Sequence, residues 1–175
     1  MCILVIDLSY QTGSVFTMNL KGEVLDFVVQ PDYKSLSSVL QQLTKKADLP
    51  LKAIALPRGP GAFTPLRLAS SVALAHSLVK GTPLIQYSPF LGLVPLEDGE
   101  GKLQLDARSK SAFTTFYQKK GANVEFEKVE LESIDEEPGY ETCVPRLATH
   151  IKNLFEIGEF CNPLELKLEY IKQPR

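Results

Sequence analysis

Cys2-Ile-Leu-Val-Ile6 is an unbroken apolar run that ends at Asp7. Such a run predicts a strand buried on both faces, with the carboxylate at its C-terminal mouth. Ser14–Leu20 then alternates apolar and polar residues, and Lys21-Gly22 makes a tight turn into Glu23–Val29. Together these predict a three-strand antiparallel meander, broken by Pro31-Asp32. Between Lys34 and Ala47 the period lengthens: Leu36, Val39, Leu40, Leu43 and Ala47 share one side, and Ser37, Gln41 and Thr44 the other. That is an amphipathic helix. Leu51–Leu56 is a short apolar strand, and Thr82–Gln86 is another.

Between those two strands lies a glycine–proline turn, Arg58-Gly-Pro-Gly61, followed by a helix that runs to Lys80. Thr64 is placed to cap it and Pro65 to occupy its first position, where a missing N–H costs nothing. Gly81 and Pro83 stop it. Leu68, Val72, Ala75 and Val79 form one stripe, read as the core face. Leu66, Ser70, Ala73 and Ser77 lie almost opposite, with Leu74 beside them. An outward stripe normally carries Lys and Glu, and this one carries small uncharged residues. Two explanations stand: the helix is sandwiched within its own chain, or its outer side receives another protein.

The rest of the chain reads more simply. Ser88–Leu96, interrupted by Pro89 and Pro95, predicts a short helix, and Glu97-Asp-Gly-Glu-Gly101 a boundary turn. Lys102–Asp106, Ala112–Gln118 and Asn123–Leu131 predict a second meander. An acidic loop spans Ser133–Gly139, and a helix spans Pro145–Ile157 with Leu147, Ile151, Leu154 and Phe155 inward. A meander followed by helix, strand, helix, strand is the ordering of the actin-like, ribonuclease-H-like α/β fold. The expected organisation is an N-terminal lobe over residues 1–96 and a shortened C-terminal lobe over 97–175, its last helix packing back on the first lobe.

Charge and chemistry narrow the function. A net charge of −2 provides no field to hold nucleic acid unaided. Cys2, Cys143 and Cys161 have no CxxC spacing, which points to a reducing cytosol without a disulfide framework or zinc site. No apolar run reaches the length of a membrane span or a secretory core. Asp7 and Asp106 sit where a two-lobed nucleotide protein places carboxylates for a metal–phosphate group. The loops behind them are poor in glycine, whose bare backbone is what lets N–H groups approach phosphate. Gly59-Pro60-Gly61 lacks the lysine of a P-loop. His76 and His150 are far apart, and no serine sits in GxSxG. By elimination the chain lacks the parts for independent catalysis.

Ile3-Leu-Val-Ile-Asp7, the segment Arg58-Gly-Pro-Gly-Ala-Phe-Thr-Pro-Leu-Arg67, Leu105-Asp-Ala-Arg108 and Leu168-Glu-Tyr-Ile-Lys172 resemble the TsaB (YeaZ) family, in order across the whole chain. The central segment carries the resemblance, because the family form is RGPGSFTGLR. Matching motif residues include Arg58, Gly59, Pro60, Gly61, Phe63, Thr64 and Arg67. Pro65 replaces a family glycine, and Asp7-Leu-Ser-Tyr10 replaces Asp-Thr-Ser-Thr. The resemblance implies a non-catalytic cytoplasmic subunit. It would pair with a TsaD-like catalytic subunit and a TsaE-like ATPase to modify tRNA to threonylcarbamoyladenosine at position 37 of ANN-decoding tRNAs. ATP and Mg would belong to those partners, tRNA would be met only through the complex, and Asp7, Ser9 and Asp106 would be a vestigial nucleotide site. The expected interface is Leu66, Ser70, Ala73, Leu74 and Ser77 with Ser37 and Gln41, the same face serving a homodimer when the partner is absent. The alternatives are a small actin-like ATPase or kinase using Asp7 and Asp106 with Mg, and a metallopeptidase, for which the histidine pair is lacking.

Overall fold

The structure is a computed structural model that describes residues 1–9, 13–29, 31, 33–107, 110–135, 144–169 and 171. Tyr10 and Thr12 of the first loop, Arg108, most of the acidic loop, Cys143, Tyr170 and Lys172 lie outside the described residues.

Continuous apolar sequence and central position go together here. β1 (Cys2–Asp7) is buried along its whole length and lies in the middle of a five-stranded sheet. Beside it run β2 (Ser14–Asn19) and β3 (Val24–Val29), both antiparallel as the alternation predicts. On its other side β4 (Leu51–Pro57) and β5 (Leu84–Tyr87) run parallel, giving the order β3-β2-β1-β4-β5. The two crossovers are α1 (Leu36–Ala47) and α2 (Phe63–Lys80), which contribute Leu36, Leu40, Leu43, Ala69 and Ala73 to a core on one face of the sheet. α3 (Val144–Ile157) covers the other face with Leu147, Ala148 and Ile151, against Ile3, Val5, Phe16 and Tyr87. This last helix is tied down by two side chains one turn apart. Arg146 Nη1 donates to the Leu93 carbonyl at 3.1 Å, and His150 Nε2 lies 3.1 Å from the Val94 carbonyl oxygen.

The second sheet holds β6 (Gly99–Asp106), β7 (Ser111–Lys120), β8 (Asn123–Phe126) and β9 (Glu130–Ser133). The expected third strand, 123–131, is divided: β8 and β9 both pair with β7, at opposite ends of it. The expected helix over 88–96 is a single 3-10 turn at Pro89–Gly92, whose Phe90 enters the core under the second sheet with Leu105 and Phe113. Among the described residues no helix is long and apolar enough to cross a membrane.

Candidate functional site

Two places bear on function: the outer side of the first sheet's helices, and the Arg58–Gly61 turn with its neighbours. At the first, the structure reverses the faces of α2. Leu66, Ser70, Ala73 and Ser77, expected outside, are buried within the chain; Leu66 and Ala73 are 0% exposed. α2 contacts β4 and β5, with Ala69 and Ala73 among Ile54, Leu56 and Leu84. Small side chains let the helix lie close on the sheet, and dispersion rewards that approach. A buried serine is tolerated because Ser70 Oγ donates to the Leu66 carbonyl one turn back, at 2.8 Å. The stripe read as core is the outer one. Leu68 and Val72 are half-buried, Ala75 and Leu78 are exposed, and Val79 is 77% exposed. Leu74 is half-buried on the flank.

α1 presents what its period predicted. Ser37 and Gln41 are exposed, and with Ser38, Thr44, Val72 and His76 they line a groove of about 430 Å³ between α1 and α2. Its floor is Leu4, Ile6 and Ile54 of the sheet. An open trough of this kind, walled by two helices and floored by aliphatic side chains, fits an added helix better than a small polar ligand.

The Arg58–Gly61 turn serves the C-terminal tail. The Arg58 N–H donates to the Tyr87 carbonyl at 2.8 Å, which closes the end of the sheet. The Arg58 carbonyl accepts from the Glu169 N–H at 2.7 Å, and Arg58 Nε meets Glu169 Oε1 at 3.3 Å. Gly59 has φ +109°, and a Cβ there would lie 2.3 Å from the Glu169 carbonyl oxygen. Only glycine fits that conformation and that approach together. Upstream, Gln86 Nε2 donates to the Lys167 carbonyl at 2.8 Å, Gln86 Oε1 accepts from the Lys167 N–H at 3.3 Å, and the Cys161 N–H donates to the Leu84 carbonyl at 2.9 Å. Gln86 ends the strand read at 82–86 and Glu169 lies in the LEYIK tail, and no local pattern marks either as a partner of the turn.

Gly61 packs on Ser9, where a Cβ would sit 3.1 Å from the Ser9 Cβ. This places the motif turn against the end of β1. There Asp7 is fully buried, and its Oδ1 accepts from both the Ser9 N–H, at 3.0 Å, and the Ser9 hydroxyl. Burial pushes the Asp7 carboxyl above the usual carboxylate range; the Ser9 bonds, and then the Tyr87 hydroxyl, oppose this only in part. Asp106 ends β6 and is half-buried. Among the described residues no three His, Cys, Asp or Glu side chains converge as a metal site would require.

Thr64 is not the cap. α2 begins at Phe63 with Ala62 before it, and Thr64 is exposed in the first turn. Pro65 is therefore the third helical residue, still within the turn whose N–H groups have no helical partner. Phe63 is exposed, and the Arg67 guanidinium stacks over its ring at 5.0 Å.

Neither any family model nor any curated protein matches the sequence. Solved structures do match. YeaZ from Pseudomonas aeruginosa superposes with a TM-score of 0.75, over 97% of this chain and 99% of that one, at 17% identity. The fold is that of YeaZ. A second structure, of an uncharacterized protein with similarity to peptidase YeaZ, also from Pseudomonas aeruginosa, gives a TM-score of 0.80 over 98% and 99% of the two chains, again at 17% identity. The architecture is accordingly the actin-like, ribonuclease-H-like one, with mixed sheets flanked by helices.

Proposed function

We propose that this chain is a non-catalytic partner subunit of the YeaZ (TsaB) kind, acting in tRNA threonylcarbamoyladenosine formation by docking on a TsaD-like catalytic subunit. The docking surface in this reading is the outer stripe of α2, Leu68, Val72, Ala75 and Val79, with Ser37 and Gln41 across the groove. The supporting observation is that stripe: four aliphatic residues on one side of a helix, bordering an open groove, with Val79 77% exposed. An apolar helix face of that extent is a candidate for covering by a partner. The likeness to YeaZ along the whole chain supports the choice of complex. The burial of Asp7 supports a non-catalytic role, because a carboxyl with no exposed surface, one of whose oxygens is already held by Ser9, is not open to a metal–phosphate group.

In this reading a TsaE-like ATPase joins the complex, tRNA is met through it, and ATP and Mg act on the partner chains. The test is co-purification with a TsaD-like partner. Val79→Asp and Ala75→Arg are each expected to lower pairing by about tenfold or more while leaving the circular dichroism spectrum unchanged. Undiminished pairing by both variants would refute the surface.

A further inference from the structure

A cavity of about 230 Å³ lies where the C-terminal ends of β4 and β5 meet α3 and the β7–β8 hairpin. Crevices outside the carboxyl ends of parallel strands are a recurrent place for ligands. This one is smaller than the roughly 300–1,000 Å³ of drug-sized sites, and suits a molecule the size of an amino acid. Leu91, Phe126 and Leu154 give it an apolar wall, and Arg58, Ser88, His150 and Glu159 also line it. Ser88 is 8% exposed and precedes the 3-10 turn, yet its hydroxyl does not cap that turn and has no hydrogen-bond partner among the described residues. Buried polar groups are nearly always paired, so this hydroxyl points to something received by the cavity. His150 is held at the Val94 carbonyl, and burial keeps its imidazole below the ordinary pKa, with Lys119 and Arg146 adding to the effect. It therefore brings no positive charge at neutral pH. Arg58 and Glu159, both exposed, set one positive and one negative charge at the edge of the cavity. Among the described residues Glu159 is in no ion pair.

We propose that this cavity binds a free α-amino acid with an apolar side chain. Its carboxylate meets Arg58, its ammonium meets Glu159, its side chain lies against Phe126 and Leu154, and the Ser88 hydroxyl pairs with its polar end. The pattern of charge selects the class. A simple carboxylic acid would set its charge beside Glu159 as well as Arg58, and a simple amine would meet Arg58; a zwitterion satisfies both. The apolar wall disfavours a charged or strongly polar side chain, which would be desolvated there without a partner. Arg58 already reaches Glu169 through Nε at 3.3 Å, but that pair is solvent-exposed and a weak competitor. A ligand of this size with two charged contacts is expected to bind with a Kd on the order of 0.1–1 mM.

The cavity shares no residue with the α1–α2 groove, so its ligand can be tested on the full chain without a partner. The probes are L-leucine, L-methionine and L-phenylalanine, with isocaproate and isoamylamine as leucine lacking its ammonium and lacking its carboxylate. Calorimetric titration and saturation-transfer NMR are expected to give saturable binding of at least one amino acid, with leucine at least about tenfold tighter than either truncated form if leucine is the one bound. Arg58→Gln and Glu159→Gln should each weaken binding by about tenfold, and Ser88→Ala by roughly threefold. Ala122→Trp, at an exposed position in the lining, should block the cavity without disturbing the core. Circular dichroism confirms that each variant is folded. Because Arg58 also holds the tail, Glu169→Gln is the control: it removes the same ion pair, keeps the guanidinium, and should bind no more weakly than the wild type. No saturable binding by any of the three amino acids up to about 20 mM, well above the expected Kd, overturns the proposal. So does binding that Glu159→Gln and Ala122→Trp leave unchanged, or a loss in Glu169→Gln equal to that in Arg58→Gln.

Discussion

Asp7 and Ala73 illustrate how much one buried residue decides. A carboxyl whose folded pKa is raised binds its proton more tightly in the native than in the unfolded chain. The native state is then favoured in acid relative to alkali by this one group. Its contribution falls as pH rises from about 4, the unfolded pKa, through the raised folded value. Asp7→Asn, which cannot ionise, is expected to flatten that slope and to match or exceed the wild type in melting temperature at neutral pH. Thermal melts across a pH series check this; a steeper fall for the variant would contradict it. At Ala73 the expectation is large and simple. With no exposed surface and the sheet against it, Ala73→Arg buries an unpaired charge and should cost more than about 3 kcal/mol, read by urea denaturation. Leu66→Ala should cost about 2–5 kcal/mol by cavity formation.

Among the elements, α1 and α3 were readable because polar and apolar residues alternate on a 3.6 period, so each helix has one side that belongs inside. α2 carries apolar or small residues all round, so its period fixes a helix without fixing which side is inward. Side-chain size favours the larger aliphatics inside, and packing puts the small ones there because the helix lies close on β4 and β5. The Arg58–Gly61 turn was likewise recognisable as a special segment, while its task was not, since the residue it receives lies more than a hundred positions later. The Arg58–Glu169 ion pair itself is solvent-exposed and is worth at most about 1 kcal/mol. The backbone contact is the stronger constraint. Gly59→Ala, strained at positive φ and colliding with the Glu169 carbonyl, should expel the tail from the turn, detected as faster limited proteolysis after residue 160.

On the scale of the molecule, that tail connects the two sheets. It leaves Leu84 at Cys161, passes Gln86 and Arg58, and sets Ile171 against the core of the second sheet with Phe90 and Phe113. Deleting residues 161–175 should lower the melting temperature and uncover the β5 edge, giving aggregation on heating that the full chain does not show. Calorimetry with light scattering checks both. The sequence alone determined the order of strands and helices of the first sheet, the buried first strand, the first meander and the glycine-dependent turn. These follow from short-range periodicity and from backbone conformations that only certain residues adopt. Tertiary structure decided which face of α2 is dry, how far Asp7 is desolvated and where the tail is held. Each of those depends on contacts between segments distant in the chain, and no local pattern encodes the distance of closest approach between two surfaces.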